Sequence, residues 1–137
     1  SFQEFSQRYA QVVNTPSLPN FRRQDTSNRQ NSIDNLNEYT QQEFQIRTQD
    51  LFDQSLALYN EMLAAGVAKE CARDVLPLST PTKLYMNGTL RSWLHYTALR
   101  CANGTQLEHQ LIATGVNGLL RTHFPLVAEA MWPTECP

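Results

Sequence analysis

The apolar positions fall into three regimes along the chain. Residues 1–13 mix apolar and polar positions, large apolar residues are sparse over 14–40, and from Gln41 they recur at helical spacing. Phe52, Leu56, Tyr59 and Leu63 stand at i, i+4, i+7 and i+11, which predicts one buried helical stripe. Gly66 follows where a helix C-terminus favours glycine. "VAKECARDVLP" predicts a short helix that ends before Pro77, and "STPTKLYMNG" predicts an extended segment with a turn at Gly88. "TLRSWLHYTALR" predicts a helix that buries Leu90, Trp93, Leu94, Tyr96 and Thr97. "TQLEHQLIATGVNGLLRTHF" predicts another, with Leu107, Leu111, Val116, Leu119 and Leu120 inside. Pro125 opens a last helical segment.

The first 40 residues are harder to assign. Residues 14–40 hold two prolines and six asparagines and read as loop, including the basic, amide-rich stretch "FRRQDTSNRQNS". The opening "SFQEFSQRYA" supports two readings. As a helix it has a stripe of Phe2, Phe5 and Tyr9 and an i,i+4 pair of Glu4 with Arg8. As a strand it places Glu4, Ser6 and Arg8 on one face, where a hydroxyl and a guanidinium fork suit phosphate oxygens. Periodicity alone favours the helix.

Composition narrows the class. The 137 residues suit one domain, 1–137, mainly helical with a few strands. Hydrophobic residues make up 41% and charged residues 18%, so the chain is an ordinary folded protein. A net charge of −2 gives no general reason to bind nucleic acid, and three arginines beside one aspartate in "FRRQDTSNRQ" make a thin phosphate track. No signal peptide or membrane span is visible. Cys71, Cys101 and Cys136 are widely spaced, form no zinc pattern, and suit a reduced, cytoplasmic setting. Asn-Gly-Thr occurs at 87–89 and 103–105. It reads better as a turn plus helix cap than as a glycosylation site, and Thr105 with Glu108 makes a capping box.

Candidate chemistry is thin without further context. Arg73 and Arg100 lie among apolar residues, where arginines commonly snorkel to the surface. An arginine beside a pyrimidine would instead stabilise negative charge developing on the ring. His95, His109 and His123 have no acidic neighbours at metal-binding spacing. No phosphate loop, dinucleotide motif or Ser-His-Asp order is present.

Taken together, "SFQEFSQR", "RRQDTSNRQNS", "GVAKECARDVLPLSTPTKLYMNGTLRSWLHYTALR", "NGTQLEH" and "FPLVAEAM" resemble the flavin-dependent thymidylate synthases (the ThyX family) over nearly the whole chain. That family carries R-H-R, seven residues, then S-x-R, here Ser6-Gln7-Arg8. The triplet would precede Ser1, so the chain reads as the C-terminal part of such an enzyme. The resemblance implies an α/β (α+β) fold, mostly helical here with a few antiparallel strands. It also implies an extended S-x-R segment, which overrules the helix.

The implied reaction is reductive methylation of dUMP to dTMP, using methylenetetrahydrofolate, FAD and NADPH, in a homotetramer with shared active sites. Glu4, Phe5, Ser6, Gln7, Arg8 and Arg73 would bind dUMP, and Arg100 would face the uracil as the catalytic arginine. Thr89, Leu90, Arg91 and His95 would hold FAD, with Glu4 nearby. His95 stands where many relatives have asparagine, and either side chain can bond a flavin edge. An N-terminal part would complete the sheet and the FAD site, so this chain by itself would bind FAD weakly. A methylase of UMP or of a modified pyrimidine nucleotide, and a non-catalytic assembly module, remain the alternatives.

Overall fold

The computed structural model describes residues 1–14, 16–102 and 104–132. In chain order the elements are β1 (Phe2–Glu4), β2 (Arg23–Gln24), β3 (Ser32–Ile33), α1 (Glu38–Ala64), α2 (Lys69–Ala72), a 3-10 turn (Arg73–Val75), β4 (Leu84–Met86), α3 (Leu90–Arg100), α4 (Leu107–His123) and α5 (Pro125–Met131). They group into two compact units: Ser1–Phe21 with Leu36–Met86, and Arg22–Asn35 with Asn87–Pro137.

The first unit is organised by the long helix α1. Asn37 caps its start by accepting the Tyr39 and Thr40 N–H groups. The expected stripe forms: Phe52 and Tyr59 are buried and Leu56 and Leu63 half-buried. Its end is a Schellman motif, in which Gly66 N–H bonds the Leu63 carbonyl and Val67 N–H bonds the Met62 carbonyl. Gly66 holds φ +87°, a conformation that opposes any Cβ. Tyr59, Val12 and Ala72 form the buried centre, with Leu56, Met62, Leu63, Val67, Val75 and Leu76 packed around it. The Ser55 hydroxyl bonds the Val75 carbonyl and so fixes the 3-10 turn against α1.

The opening stretch is extended, as the resemblance implies and against its own periodicity. β1 runs antiparallel to β4 with Phe2 opposite Met86, Gln3 opposite Tyr85 and Glu4 opposite Leu84. The strand is shorter than expected. Phe5 N–H still bonds the Lys83 carbonyl at 2.9 Å, but at Ser6 the chain turns, with Tyr9 and Ala10 N–H groups on the Ser6 carbonyl. Glu4, Ser6 and Arg8 therefore do not share one strand face.

The second unit packs α3, α4 and α5 around Leu120, Ala128 and Trp132, joined by Leu90, Trp93, Leu94 and Val116. The buried side of α3 is as expected, with Thr97 fully covered. That of α4 is not. Leu111 and Leu119 are 64% and 61% exposed and Leu107 is exposed too, whereas Ala113, Asn117 and Leu120 are buried. The buried face thus runs through Ala113, Val116, Asn117 and Leu120, with Asn117 Oδ1 accepting from Arg121 Nε at 2.9 Å, and leucine content alone does not mark it.

The basic stretch is not a plain loop but a hairpin. β2 and β3 pair antiparallel, Arg23 opposite Ile33 and Gln24 opposite Ser32. The Asp25 carboxylate accepts from the Ser27 N–H and hydroxyl, from Asn28 N–H and from the Asn31 amide. Those bonds, the Ser27 hydroxyl first, hold its pKa down at about 2. Thr105 does not cap α4, which begins after Gln106, so the expected capping box is absent. Glu108 is engaged elsewhere, by Arg22. Asn103 and Cys136 lie outside the described residues, and Cys71 and Cys101 are free thiols.

Candidate functional site

In the first unit the predicted nucleotide residues gather at the end of β1. Pairing with β4 presents Glu4 and Phe5, and the turn that follows presents Ser6, around a groove of about 380 Å³ also lined by Gln3, Tyr9, Lys83 and Tyr85. The Ser6 Oγ accepts the Arg8 N–H at 3.3 Å, which leaves its own hydrogen free to donate.

The turn is anchored from below. Arg8 Nε donates to the Glu70 carboxylate at 2.8 Å, and Lys69 Nζ donates to the Tyr9 carbonyl at 3.2 Å, so α2 grips both residues. The Arg8–Glu70 bond uses Nε and leaves both Nη groups for another acceptor. Val12 N–H donates to Tyr59 Oη at 3.1 Å in the core, and Gln11 bonds Asn60 at 3.3 Å. A short exposed loop is thus tied to two helices.

Not every predicted residue joins this groove. Gln7 lines a neighbouring groove of about 300 Å³ with Phe5, Val12, Val13 and Lys83. Arg73 is exposed at the start of the 3-10 turn, three residues after Glu70. Sequence reasoning missed Lys83, whose backbone pairs with Phe5 and which lines both grooves. It also missed Glu70. Neither lies within a local motif, and only the β1–β4 register and the α2 contact bring them here.

In the second unit α3 carries the remaining predicted residues. Thr89 Oγ1 accepts the Ser92 N–H at 3.2 Å and caps the helix. Leu90, Arg91 and His95 line an open groove of about 440 Å³ with Leu94, Ala98 and Met131. An apolar floor edged by a guanidinium and an imidazole fits a flat heteroaromatic ring carrying phosphates. The uncapped N–H groups of the first turn add donors for such an anion. Arg100 is exposed at the other end, about 14 Å along the axis from Arg91 at 1.5 Å per residue.

Beside Arg100 lies a polar cluster that the histidine count did not reveal. Tyr96 Oη and His109 Nε2 are 3.0 Å apart, and Trp93 meets Tyr96 edge-to-face with ring centroids 5.6 Å apart. Burial pushes the Tyr96 phenol up, and the Arg100 charge opposes that shift. Among the described residues no His/Cys/Asp/Glu cluster could hold a metal, and no helix is long and apolar enough to cross a membrane.

Comparison with known proteins decides the family. The family model described as thymidylate synthase complementing protein matches residues 1–126. This chain belongs to that family. Among its members, a probable flavin-dependent thymidylate synthase of Paramecium bursaria Chlorella virus 1 is 50% identical over 130 residues, covering 95% of this chain and 60% of the relative. The Synechocystis flavin-dependent thymidylate synthase is 47% identical over 131 residues, covering 96% and 60%. Among solved structures, the UMP/dUMP methylase PolB from Streptomyces cacaoi bound with 5-Br UMP superposes with a TM-score of 0.84 at 25% identity, covering 95% of this chain and 62% of that one. The chain thus spans about 60% of the length of these two curated relatives.

Proposed function

We propose that this chain supplies part of the active site of a flavin-dependent thymidylate synthase, which methylates dUMP reductively to dTMP. Methylenetetrahydrofolate is the carbon donor, FAD the hydride carrier and NADPH the reductant. The working form is a homotetramer in a cytoplasmic setting, with active sites shared between subunits and completed by the part of the relatives that this chain does not span.

The observation that carries the reading is the groove at the end of β1, where Glu4, Phe5 and Ser6 converge beside an Arg8 that Glu70 orients. Ser6 donates its hydroxyl and Arg8 its Nη groups to the dUMP phosphate, and Lys83 adds a cation at the rim. Gln7 and Arg73 are the remaining nucleotide contacts. Thr89, Leu90, Arg91 and His95 hold the flavin, the last three from the α3 groove, and Glu4 is the remaining flavin contact of this reading. When bound, the flavin supplies the hydride chemistry that side chains lack. Arg100 stabilises the negative charge that builds on the uracil as C5 becomes nucleophilic, where a fixed cation in a water-poor site has its greatest effect. Orientation of three partners lowers the remaining barrier.

The test is dUMP binding and turnover by the full-length protein and its Arg8→Ala and Arg100→Ala variants. Arg8→Ala weakens binding, whereas Arg100→Ala lowers turnover far more than it lowers flavin content. Equal loss of both in Arg100→Ala marks a structural residue and overturns its assignment. The structural likeness to a protein described as a UMP/dUMP methylase favours a second reading, in which UMP is also a substrate. Parallel turnover of UMP and dUMP separates the two. A flavin-free, inactive preparation would favour the assembly-module reading.

A further inference from the structure

Arg100 lies at the last residue of α3, where a helix end commonly frays, yet its assigned role demands a fixed position. The structure contains a brace for that end. Three consecutive residues in the first turn of α4 each hold a different partner. Gln110 donates its amide to the Ala102 carbonyl at 3.1 Å, two residues beyond Arg100. His109 meets Tyr96 Oη at 3.0 Å, one helical turn before Arg100. Glu108 accepts from Arg22 at 2.8 Å.

Arg22 in turn belongs to the hairpin. Its Nε donates to the Ser32 hydroxyl on β3 at 2.8 Å, and its side chain is only 10% exposed. The hairpin tip is densely hydrogen-bonded. The Gln24 amide donates to the carbonyls of Asp25, Arg29 and Asn31, and Asp25 gathers four further donors. That tip lies against the α3–α4 turn, since a Cβ on Gly104 would stand 3.8 Å from both the Asn28 and Gln30 amide groups.

We propose that the 22–33 hairpin is a brace for the α3–α4 turn and that Arg22 and Glu108 are positioning residues for Arg100. Neither touches substrate. Their contact runs from Ser32 through Arg22 and Glu108 into the first turn of α4, then through Gln110 to Ala102. The inference rests on the assignment of Arg100 as the uracil-facing arginine. The pair also accounts for the chemistry of "FRRQDTSNRQNS" without a nucleic-acid partner: one of its arginines is spent inside the fold.

The experiment compares Arg22→Ala, Glu108→Gln, the charge exchange R22E/E108R and Arg100→Ala in the full-length protein, reading kcat, dUMP Kd and flavin content. A displacement of about 1 Å at a reacting group can cost about 10²-fold in rate, so Arg22→Ala should lower kcat about 10- to 100-fold. Flavin content and dUMP Kd should stay within about threefold, and the charge exchange should recover most of the lost kcat. Glu108→Gln keeps the side-chain shape and should show a smaller loss, so it decides the matter if Arg22→Ala fails to fold. Unchanged kcat in both single variants, flavin and kcat falling in parallel, or no recovery in the exchange overturns the brace. If Arg100→Ala abolishes turnover while the Arg22 and Glu108 variants keep it, the brace alone fails. If Arg100→Ala keeps wild-type turnover, the Arg100 assignment fails and the brace with it.

Discussion

Replacing Tyr59 by Phe isolates one bond that joins the Ser6–Val12 loop to the core. Tyr59 is fully buried on α1, and its hydroxyl accepts the Val12 N–H at 3.1 Å, itself in the buried cluster. Phenylalanine keeps the ring and its packing and removes only the acceptor. The Val12 N–H then has no partner in a region closed to water, and a buried unpaired donor costs about 1–3 kcal/mol. The ring fills the same space, so no cavity term adds to this. The expected loss is therefore about 2 kcal/mol, which lowers Tm by roughly 6–10 °C for a chain of this size. Urea unfolding of wild-type and variant protein should show a lower midpoint at unchanged m. The loop from Ser6 to Val12 loses one of its anchors, so dUMP binding should weaken as well. A change within about 0.5 kcal/mol would refute the reasoning, because it would mean that water or another group already serves the Val12 N–H.

Other substitutions probe separate links. Arg8→Ala should raise the dUMP Kd about 10- to 100-fold through loss of charge-assisted bonds to phosphate, read by calorimetry, while Glu70→Gln, at an exposed ion pair, should change stability by less than about 1 kcal/mol. Gly66→Ala should cost about 1 kcal/mol in urea unfolding, since nothing crowds a Cβ there and only φ +87° opposes it. The Glu108 carboxylate is held at about 2 against an ordinary 4.5, chiefly by its bond to Arg22. A depressed carboxylate stabilises the fold fully above its unfolded pKa, and that contribution fades as pH falls from 4.5 towards 2. The stability gap between wild type and Glu108→Gln should accordingly be constant near neutrality and close over that acidic range.

What could be read in the sequence was what local spacing determines. The stripe of Phe52, Leu56, Tyr59 and Leu63, the stop at Gly66 and the Thr89 cap depend on neighbours within a few residues, and all three form. "SFQEFSQRYA" was misleading because its strand exists only through Leu84–Met86, which local periodicity does not contain. Family resemblance supplied the extended conformation, but it overstated its length, since the turn at Ser6 is fixed by α2 and Tyr59. Leu111 and Leu119 were expected inside α4, but the buried face runs through Ala113, Asn117 and Leu120, and the Asn117 amide is held there by Arg121, which apolar spacing does not contain. The link of Arg22 to Glu108 was invisible for a related reason: Glu108 matched a local capping box, and a half-buried arginine from the hairpin claimed it instead.

The most direct test of the central claim is conversion of labelled dUMP to dTMP by the purified full-length protein. The expected result is a yellow, flavin-bearing protein whose dTMP formation requires methylenetetrahydrofolate and NADPH together and collapses in Arg100→Ala with flavin retained. A protein that binds no flavin and forms no dTMP under those conditions would contradict it.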